Sequence, residues 1–520
     1  MVKLKIDNQQ VEVEQGSTIL DAATVAGVRI PTMCFLKGYA PSTSCMVCVV
    51  EVKGKASLVP ACGAVAFDGM EVVTDSEQVI VARRRAIELL LSDHVGDCVG
   101  PCQVGCPAKM DIPLMIGQIA TGEFGEAIQT IKKDIALPAI LGRICPAPCE
   151  KVCRRAGYDQ AVSICLLKRY VADIDLASQS PYVPHCKVSS GKKVAIIGAG
   201  PAGLSAAYYL RQAGIDCSIY DDHEHPGGAL RYADIDRSVL PIDVVDQEIT
   251  LLLDIGIQFN GNICVGRDVL VSELKSRYDA ILLATGNPGS NPMDIFKVEM
   301  KADIIQVNRQ DYTSSEKGIF AAGGCVGARN LCICSVADGK DAAIAIDQYL
   351  GGGEVSGPVK RFNSRMGKCD AGELETFVGQ ASEQVRLQPE EEGGGLTPMQ
   401  TLAEAKRCLH CQCRKPVDCK LRELADEFGA KANKYKFRRR LFEQYCEHAD
   451  IIYEPGKCID CGLCVQITKD HGEELGLTFA GRGFDVRPAV PFDRTMKDAL
   501  KKTAGKCVEI CPTGALATKD

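Results

Sequence analysis

The stretch KKVAIIGAGPAGLSAAYYLRQAGIDCSIYDD (192–222) decides the fold of the middle of the chain. An apolar run precedes Gly198, Gly200 and Gly203, and a helical segment and a second apolar run ending before Asp221 follow them. Glycines at this spacing allow a tight turn and bring the backbone close to a pyrophosphate at the helix N-terminus. An acid about 20 residues further on accepts a ribose hydroxyl. The stretch therefore predicts a Rossmann-type α/β domain that binds a dinucleotide.

The segments after this stretch resemble the FAD domain of the glutamate synthase small subunit. The matching segments are HPGGALRY (225–232), YDAILLATG (278–286) and GIFAAGG (318–324). The resemblance implies FAD rather than NAD, although the acid that the family places at the end of GIFAAGD is Gly324 here. The implied cofactor-binding residues are Gly198, Gly200, Pro201, Ala202, Gly203, Asp221, Gly228, Arg231, Thr285, Gly286, Gly323 and Gly324.

That family also carries a second Rossmann domain, which binds NADPH, between the ATG and GIFAAGD segments. Here only about 30 residues separate Gly286 from Gly318, roughly the length of one βαβ unit, and they contain no second glycine fingerprint. We therefore expect no hydride-donor site on this chain. A bound flavin would exchange electrons with metal clusters or with another subunit.

Cysteine is the unusual component of the composition, with 28 in 520 residues. Disulfide frameworks are typical of short secreted chains, whereas these cysteines cluster at short spacings, as soft metal ions require. The net charge of −7 gives no indication of a nucleic-acid partner. No apolar run has the length of a membrane span, and the N-terminal segment lacks the apolar core of a signal peptide. We therefore expect a cytoplasmic metalloprotein.

Residues 1–80 are strand-rich and contain four cysteines in the pattern C-x10-C-x2-C-x13-C. Four thiolates in this setting suit a [2Fe–2S] cluster, with the close pair on one iron, and zinc is the alternative. The spacing resembles the N-terminal β-grasp ferredoxin domain of the large iron–sulfur subunit of respiratory complex I and of iron-only hydrogenases. The expected ligands are Cys34, Cys45, Cys48 and Cys62.

Residues 81–190 carry two cysteine runs, CQVGCPAKMDIPLMI and GRICPAPCEKVC, in a helical segment. They resemble the N-terminal domain of the glutamate synthase small subunit and of dihydropyrimidine dehydrogenase. That domain binds two [4Fe–4S] clusters with ligands from both runs. The resemblance implies a first cluster on Cys98, Cys102 and Cys153 and a second on Cys106, Cys145 and Cys149.

The fourth ligands of these two clusters depart from the family pattern. His94 has the spacing of the histidine ligand in a complex I cluster, and we favour it for the first cluster over a structural role. The family's Gln or Glu for the second cluster is Lys168 here, a poor ligand when protonated. Cys165, one helical turn earlier on the same face, is the expected substitute, with an ordinary buried cysteine as the alternative.

The C-terminal region contains two further cysteine sets. Cysteines 458, 461 and 464 begin a bacterial-ferredoxin run whose fourth cysteine is absent. In two-cluster ferredoxins, the fourth cysteine of each run binds the cluster of the other run. This rule predicts one [4Fe–4S] cluster on Cys458, Cys461, Cys464 and Cys511, with Cys507 spare.

The compact set within residues 408–419 fits either a [4Fe–4S] cluster or a structural zinc ion. Zinc prefers two separated pairs of ligands, so we favour a cluster and retain zinc as the alternative. The set consists of Cys408, Cys411, Cys413 and Cys419.

Together these segments predict a multidomain protein of the α+β and α/β classes. The expected parts are a β-grasp [2Fe–2S] ferredoxin domain (1–80), a helical domain with two [4Fe–4S] clusters (81–190), a Rossmann-type FAD domain (191–355), a surface linker (356–400), a four-cysteine site (401–450) and a bacterial-ferredoxin-like domain with one [4Fe–4S] cluster (451–520).

The combined modules resemble the wiring subunit of electron-bifurcating, NAD-linked hydrogenases of anaerobes and of related transhydrogenases and formate dehydrogenases. The resemblance implies an NAD-reacting flavin subunit and a hydrogenase-type catalytic subunit as partners, with soluble ferredoxin as a further candidate. We expect no catalytic acid, base or nucleophile on this chain. The alternatives are a stand-alone NAD(P)H-oxidising flavoenzyme and a non-catalytic zinc scaffold.

Overall fold

A computed structural model describes residues 1–286, 293–327, 331–391, 393–435 and 439–519. The chain forms two compact units. The terminal unit comprises Met1–Val99, Arg361–Phe377 and Cys411–Asp520, and the central unit comprises Gly100–Lys360 and Val378–His410. Among the described residues, no helix has both the length and the apolar character needed to cross a membrane.

The N-terminal part of the terminal unit is a five-stranded sheet in the order β2-β1-β5-β3-β4. Alternate residues of its first strand are buried, which is the pattern of a strand with one face on a core. The parallel pairing of β1 with β5 is the exception among otherwise antiparallel neighbours. The elements are β1 (Val2–Ile6), β2 (Gln9–Val13), α1 (Ile19–Val25), β3 (Val49–Val52), β4 (Val59–Pro60), β5 (Glu71–Val73) and α2 (Glu77–Ser92).

The central unit begins with a bundle of short helices. Three of them carry Pro at the first helical position, where the missing N–H costs nothing because it would have no partner in the helix. The helices are α3 (Pro101–Gly105), α4 (Ile112–Ala120), α5 (Phe124–Lys132), α6 (Pro138–Ile144), α7 (Pro148–Lys151) and α8 (Ile164–Ala177).

A five-stranded, wholly parallel sheet follows in the central unit, in the order β12-β9-β6-β7-β8. Its inner strands are continuous apolar runs because both faces are covered. The elements are β6 (Lys193–Ile197), α9 (Pro201–Gln212), β7 (Asp216–Tyr220), α10 (Ala229–Tyr232), α11 (Ile242–Leu253), β8 (Gln258–Asn260), α12 (Val271–Arg277), β9 (Ala280–Leu283), β10 (Met300–Lys301), β11 (Ile304–Ile305), β12 (Ile319–Ala321) and α13 (Cys332–Leu350).

Small residues let α13 pack closely against α9. A Cβ added to Gly339 would lie 2.2 Å from the carbonyl oxygen of Ala202, and one added to Gly203 would lie 2.0 Å from that of Gly198. Larger side chains at these two positions would therefore push the glycine turn away from its neighbours. This packing fixes the turn at the carboxyl end of β6.

The remaining elements follow in chain order. Pro398–Ala405 belongs to the central unit, and the others belong to the terminal unit, although the first of them ends one residue beyond its boundary. They are α14 (Ala371–Val378), α15 (Pro398–Ala405), α16 (Lys420–Glu427), β13 (Ile451–Tyr453), α17 (Leu463–Asp470), β14 (Thr478–Ala480), β15 (Arg487–Ala489), α18 (Met496–Ala499), α19 (Ala504–Ile510) and β16 (Leu516–Thr518).

Candidate cofactor sites

The four cysteines of the N-terminal sheet domain converge and are buried. The thiol of Cys34 is hydrogen-bonded to those of Cys45 and Cys62, and the thiol of Cys48 is hydrogen-bonded to that of Cys62. These bonds hold the pKa of Cys34 well below its usual value and lower that of Cys48 to about 7. Cys34 is thus linked to Cys45 and Cys62, and Cys62 is linked to Cys48, so the four expected ligands of this site lie together.

The helical bundle of the central unit contains a small apolar cavity lined by thiols. Cys145 ends α6, Cys149 lies in α7 and Cys165 lies in the first turn of α8. The thiol of Cys165 is hydrogen-bonded to those of Cys145 and Cys149. The expected second set, Cys106, Cys145, Cys149 and Cys165, thus lines one cavity together with Lys168.

Lys168 is a buried cation in this cavity, with 3% of its surface exposed. Burial acts to lower its pKa, but the surrounding sulfur groups, above all Cys165 and Cys145, outweigh burial, so the pKa of Lys168 is raised. The ammonium group therefore stays protonated. A cation enclosed by four cysteines fits an anionic thiolate cluster, whose charge it would offset.

A second thiol-lined cavity lies in the terminal unit and combines residues from two expected sites. It is lined by His94, Cys98, Cys413 and Cys419. Desolvation, and then the nearby Lys457 ammonium, lower the pKa of His94 to about 4, which keeps its imidazole neutral.

This grouping differs from both expected ligand sets. Cys102 and Cys153, the expected partners of His94 and Cys98, belong to the central unit. Of the compact set of residues 408–419, Cys408 belongs to the central unit, and Cys411, Cys413 and Cys419 belong to the terminal unit.

The C-terminal cysteines line an apolar cavity of their own. Cys458, Cys461, Cys464 and Cys511 border it together with Tyr453 and Leu463. Burial raises the pKa of Cys458 and of Cys464 well above the usual value. Gly462, between two of these cysteines, has a φ of +72° and precedes α17, a conformation that glycine adopts without strain. Cys507 is buried but does not border this cavity.

The glycine turn opens into a cavity of about 1230 Å³ in the central unit. This volume is above the usual range of roughly 300 to 1,000 Å³ for ligand pockets, so an elongated ligand fits. Nine of the twelve expected cofactor-binding residues border it. They are Gly198, Gly200, Pro201, Ala202, Asp221, Gly228, Thr285, Gly286 and Gly324.

The three others do not border the cavity, and each has a contact elsewhere. Gly203 packs on Gly198, and a Cβ on Gly323 would lie 2.7 Å from that of Ala202. The guanidinium of Arg231 bonds to Asp246 and, at 3.1 Å, to the carbonyl oxygen of Pro226. The expected role of Arg231 in cofactor binding therefore has no support in its position.

The shape of the cavity fits a dinucleotide. A Cβ added to Gly200 or Gly286 would meet no atom within 4 Å, so at both positions the backbone borders open space. The carboxylate of Asp221 accepts the backbone N–H of Ala199 at 2.6 Å and that of His223 at 3.0 Å. Asp221 therefore orders the turn from the end of β7, where a ribose would lie.

Several residues of the cavity wall are not among the expected cofactor-binding residues. The rings of His223 and Tyr232 are stacked with centroids 4.1 Å apart, and both residues border the cavity. Ile144, Pro146 and Cys332 also border it. These three come from the helical bundle and the start of α13, which only the folded chain brings to the cavity.

Comparison with known families agrees with this domain content. Residues 1–77 match a 2Fe-2S iron–sulfur cluster binding domain. Residues 72–180 match dihydropyrimidine dehydrogenase domain II, a 4Fe-4S cluster domain, and residues 196–254 match an NAD(P)-binding Rossmann-like domain.

The curated relatives are oxidoreductase subunits. The NADPH-Fe(3+) oxidoreductase subunit beta of Geobacter sulfurreducens is 37% identical over 196 residues, which cover 38% of this chain and 29% of that protein. The NADP(+)-dependent formate dehydrogenase subunit beta of Moorella thermoacetica is 38% identical over 216 residues, 38% of this chain and 30% of that protein. The glutamate synthase [NADPH] small chain of Bacillus subtilis is 38% identical over 202 residues, 36% of this chain and 40% of that protein.

The chain thus spans less than half the length of each of these relatives. Among solved structures, an NAD+-reducing [NiFe]-hydrogenase matches 100% of this chain and 87% of its own, at 12% identity and a TM-score of 0.36, too low to carry an argument. The domains and the relatives together identify the iron–sulfur and Rossmann-like content of an oxidoreductase subunit.

Proposed function

We propose that this chain is the electron-relay subunit of a multisubunit oxidoreductase, in the first place an electron-bifurcating, NAD-linked hydrogenase. It would carry one [2Fe–2S] cluster, three or four [4Fe–4S] clusters and one FAD. Its partners would be an NAD-reacting flavin subunit and a hydrogenase-type catalytic subunit, with soluble ferredoxin as a further candidate.

The proposal rests chiefly on the contact between the dinucleotide cavity and the thiol cavity of the central unit. Ile144 and Pro146 border the dinucleotide cavity, and Cys145 between them borders the thiol cavity. The same alternation occurs in α13, where Cys332 borders the first cavity and Ile333 the second. One wall therefore separates the two cofactor spaces, as direct electron exchange requires.

The side chains of the chain hold and insulate these cofactors. Bound clusters and flavin would supply one- and two-electron transfer. The proposed ligand sets are Cys34, Cys45, Cys48 and Cys62 for [2Fe–2S], Cys106, Cys145, Cys149 and Cys165 for one [4Fe–4S], and Cys458, Cys461, Cys464 and Cys511 for another. Apolar neighbours such as Met110 and Leu463 line these cavities and exclude water.

The short segment between Gly286 and Gly318 supports the relay proposal. Between Gly286 and Gly318, the described residues (293–317) contain only the short antiparallel pair β10–β11 as strands. A nicotinamide-binding Rossmann domain needs at least one βαβ unit, which the described residues 293–317 do not form. Electrons would therefore reach the flavin from clusters or a partner subunit.

A second candidate is an NAD(P)H-dependent flavin oxidoreductase. The names of the relatives favour it, because two of the three relatives named above are called NADPH-linked and the third NADP(+)-dependent. The relay proposal itself also includes the case in which the complex is a formate dehydrogenase or a transhydrogenase in place of a hydrogenase.

One anaerobic experiment distinguishes the relay function from the NAD(P)H-dependent flavin oxidoreductase. The purified chain is mixed with NADH or NADPH, and flavin absorbance is followed by stopped flow. The relay proposal predicts no rapid bleaching by either nucleotide and full bleaching by dithionite. Rapid reduction of the flavin by NADH or NADPH without a partner would reject it in favour of the second candidate.

A further inference from the structure

We propose that His94, Cys98, Cys413 and Cys419 together bind one [4Fe–4S] cluster in the terminal unit. Local spacing assigns these residues to two different sites, and the inference does not depend on the relay function. It rests on the cavity that they share.

The three thiols and the imidazole come from separate elements and meet around one space. His94 and Cys98 follow α2, Cys419 precedes α16 and Cys413 lies in the loop before it. Cys419 is close enough to both Cys413 and Cys98 to interact with them electrostatically. Four soft donors around one apolar cavity form a cluster site, since clusters are held by thiolates with occasional histidine.

The spacing of the donors argues against a single metal ion. In a tetrahedral zinc site with Zn–S distances of about 2.3 Å, the ligand atoms lie roughly 4 Å apart. Within the described part of the chain, the only three or more donors that all lie within 4.8 Å of one another are those of Asp221, Asp222 and His223. No three of the four donors of this cavity meet that limit, so they do not form a ready site for a single tetrahedral ion.

The surroundings are adapted to an anionic group. The backbone N–H of Ser364 donates to the sulfur of Cys98 at 3.3 Å. Lys457 is 2% exposed and interacts with Cys98 and Cys413, and Arg422 borders the cavity. Such N–H···S bonds and cations stabilise thiolate clusters and tune their potential.

Two glycines make room for these groups. A Cβ on Gly514 would lie 2.3 Å from the sulfur of Cys413, and one on Gly96 would lie 2.5 Å from Cε of Lys457. Any side chain at either position would displace the ligand or the cation. The backbone is therefore fitted to this arrangement of Cys413 and Lys457.

The inference also redistributes the remaining cysteines. Cys98 no longer joins Cys102 and Cys153, and Cys408 no longer joins Cys413 and Cys419. Cys102, Cys153 and Cys408 all pack against the same hydrophobic core of the central unit. The further [4Fe–4S] cluster that the proposed function allows would draw ligands from these cysteines.

The test is a double-variant cycle on the anaerobically purified full-length chain. Cys98→Ser and Cys419→Ser are made singly and together, and iron and acid-labile sulfide are measured per chain, with far-UV circular dichroism to verify folding. If the two residues share a cubane, each single variant loses about four irons and the double variant also loses about four in total. Two separate sites would give a loss of about eight in the double variant and would overturn the inference, as would an unchanged iron content in either single variant.

A measurement on the unmodified chain covers the case in which a variant fails to fold. Dithionite-reduced protein with ordinary and with 15N-labelled histidine is compared by pulsed electron paramagnetic resonance. We expect one cluster signal to show a nitrogen coupling that changes with the isotope, and its absence would overturn the inference.

Cys369→Ser is the matched control for the iron analysis of the Cys98 and Cys419 variants, because Cys369 is a buried cysteine of the same unit outside this cavity. A chain without any clusters would overturn both this inference and the proposed function, whereas loss of the nitrogen coupling alone would overturn only the inference.

Discussion

The thiols of Cys145 and Cys165 are hydrogen-bonded to each other, although one ends helix α6 and the other lies in helix α8. The helices α6 and α8 thus bring two cysteines to one cavity. The second of these cysteines was expected only from its position one turn before Lys168.

Replacing Cys165 should remove one cluster. Cys165→Ala is expected to lower the iron content by about four per chain, because a cubane needs its fourth ligand. Iron and sulfide analysis of anaerobic protein measures the loss. Cys186→Ala is the matched control, since this thiol bonds only weakly to the carbonyl oxygen of Pro184. Unchanged iron in Cys165→Ala would make Cys165 an ordinary buried cysteine.

Replacing the buried cation beside the same cluster should change its potential. Lys168→Met removes a positive charge that favours the more negative, reduced cluster. A unit charge a few ångströms away at an effective dielectric constant of about 20 is worth a few kcal/mol, or on the order of 100 mV for one electron. We expect a shift of this order to lower potential in a redox titration followed by electron paramagnetic resonance. Lys151→Met, an exposed lysine of α7, should leave all potentials unchanged.

Two neighbouring glycines should respond differently to alanine. Gly200→Ala has room within the protein, since no atom lies within 4 Å of its added Cβ, but the new methyl group enters the dinucleotide cavity. We expect flavin content to fall at least tenfold with unchanged iron and folding. Gly203→Ala should instead destabilise the fold, because its Cβ would lie 2.0 Å from a carbonyl oxygen.

The matched control for this pair is Gly125→Ala. Its added Cβ also meets nothing within 4 Å, and Gly125 lies in helix α5, where alanine is favoured by about 1 kcal/mol. Flavin absorbance per chain and thermal unfolding followed by circular dichroism measure the three variants. A flavin content in Gly200→Ala equal to that of the wild type would contradict a pyrophosphate at this turn.

A buried carboxyl group should make the central unit less stable as pH rises. Glu248 accepts the backbone N–H groups of Ala139 and Ile140 at 2.6 and 2.8 Å. Burial raises its pKa from 4.5 to about 7, against the opposing effects of these amides and of Lys132 and Arg143. The folded state therefore binds the proton more tightly than the unfolded state, so this contribution is fully present below pH 4.5 and is lost as pH rises through 7.

Each unit by which the pKa of Glu248 is raised on folding contributes about 1.4 kcal/mol to stability at low pH. Between pH 5 and 7, the opening free energy of the Ala139 and Ile140 amides should fall by about 2 to 3 kcal/mol in the wild type relative to Glu248→Gln. Hydrogen exchange read by mass spectrometry measures it. A constant difference between the two proteins over this range would show that Glu248 stays ionised.

Those parts of the fold that depend on local sequence could be predicted. The glycine turn lies between β6 and α9, at the carboxyl end of a parallel strand, as its sequence predicted. This turn could be predicted because the strand, the glycines and the helix are adjacent in the chain. The cysteine runs likewise indicated metal sites, since two-residue spacings bring thiols together locally. The thiols of the sets around Cys48, Cys145 and Cys461 do lie together.

The grouping at His94 and Cys413 could not be predicted, because it depends on how distant segments pack. Spacing in the chain suggested Cys408 as a partner of Cys413, and it gave no signal that Cys413 and Cys98 border one cavity. Ser364, which donates to Cys98, lies in a stretch whose glycine- and acid-rich surroundings suggested only a linker. Arg231 was expected at the cofactor because of its motif, yet its guanidinium bonds to Asp246.

The central claim is that thiols of this chain hold clusters in electronic contact with one flavin. The most direct measurement is the content of iron, sulfide, zinc and flavin per chain in anaerobically purified protein. The account predicts about 14 to 18 irons, two for the binuclear centre and four for each of three or four cubanes, with matching sulfide and one FAD. A colourless protein that contains zinc in place of iron and sulfide, and no flavin, would contradict it.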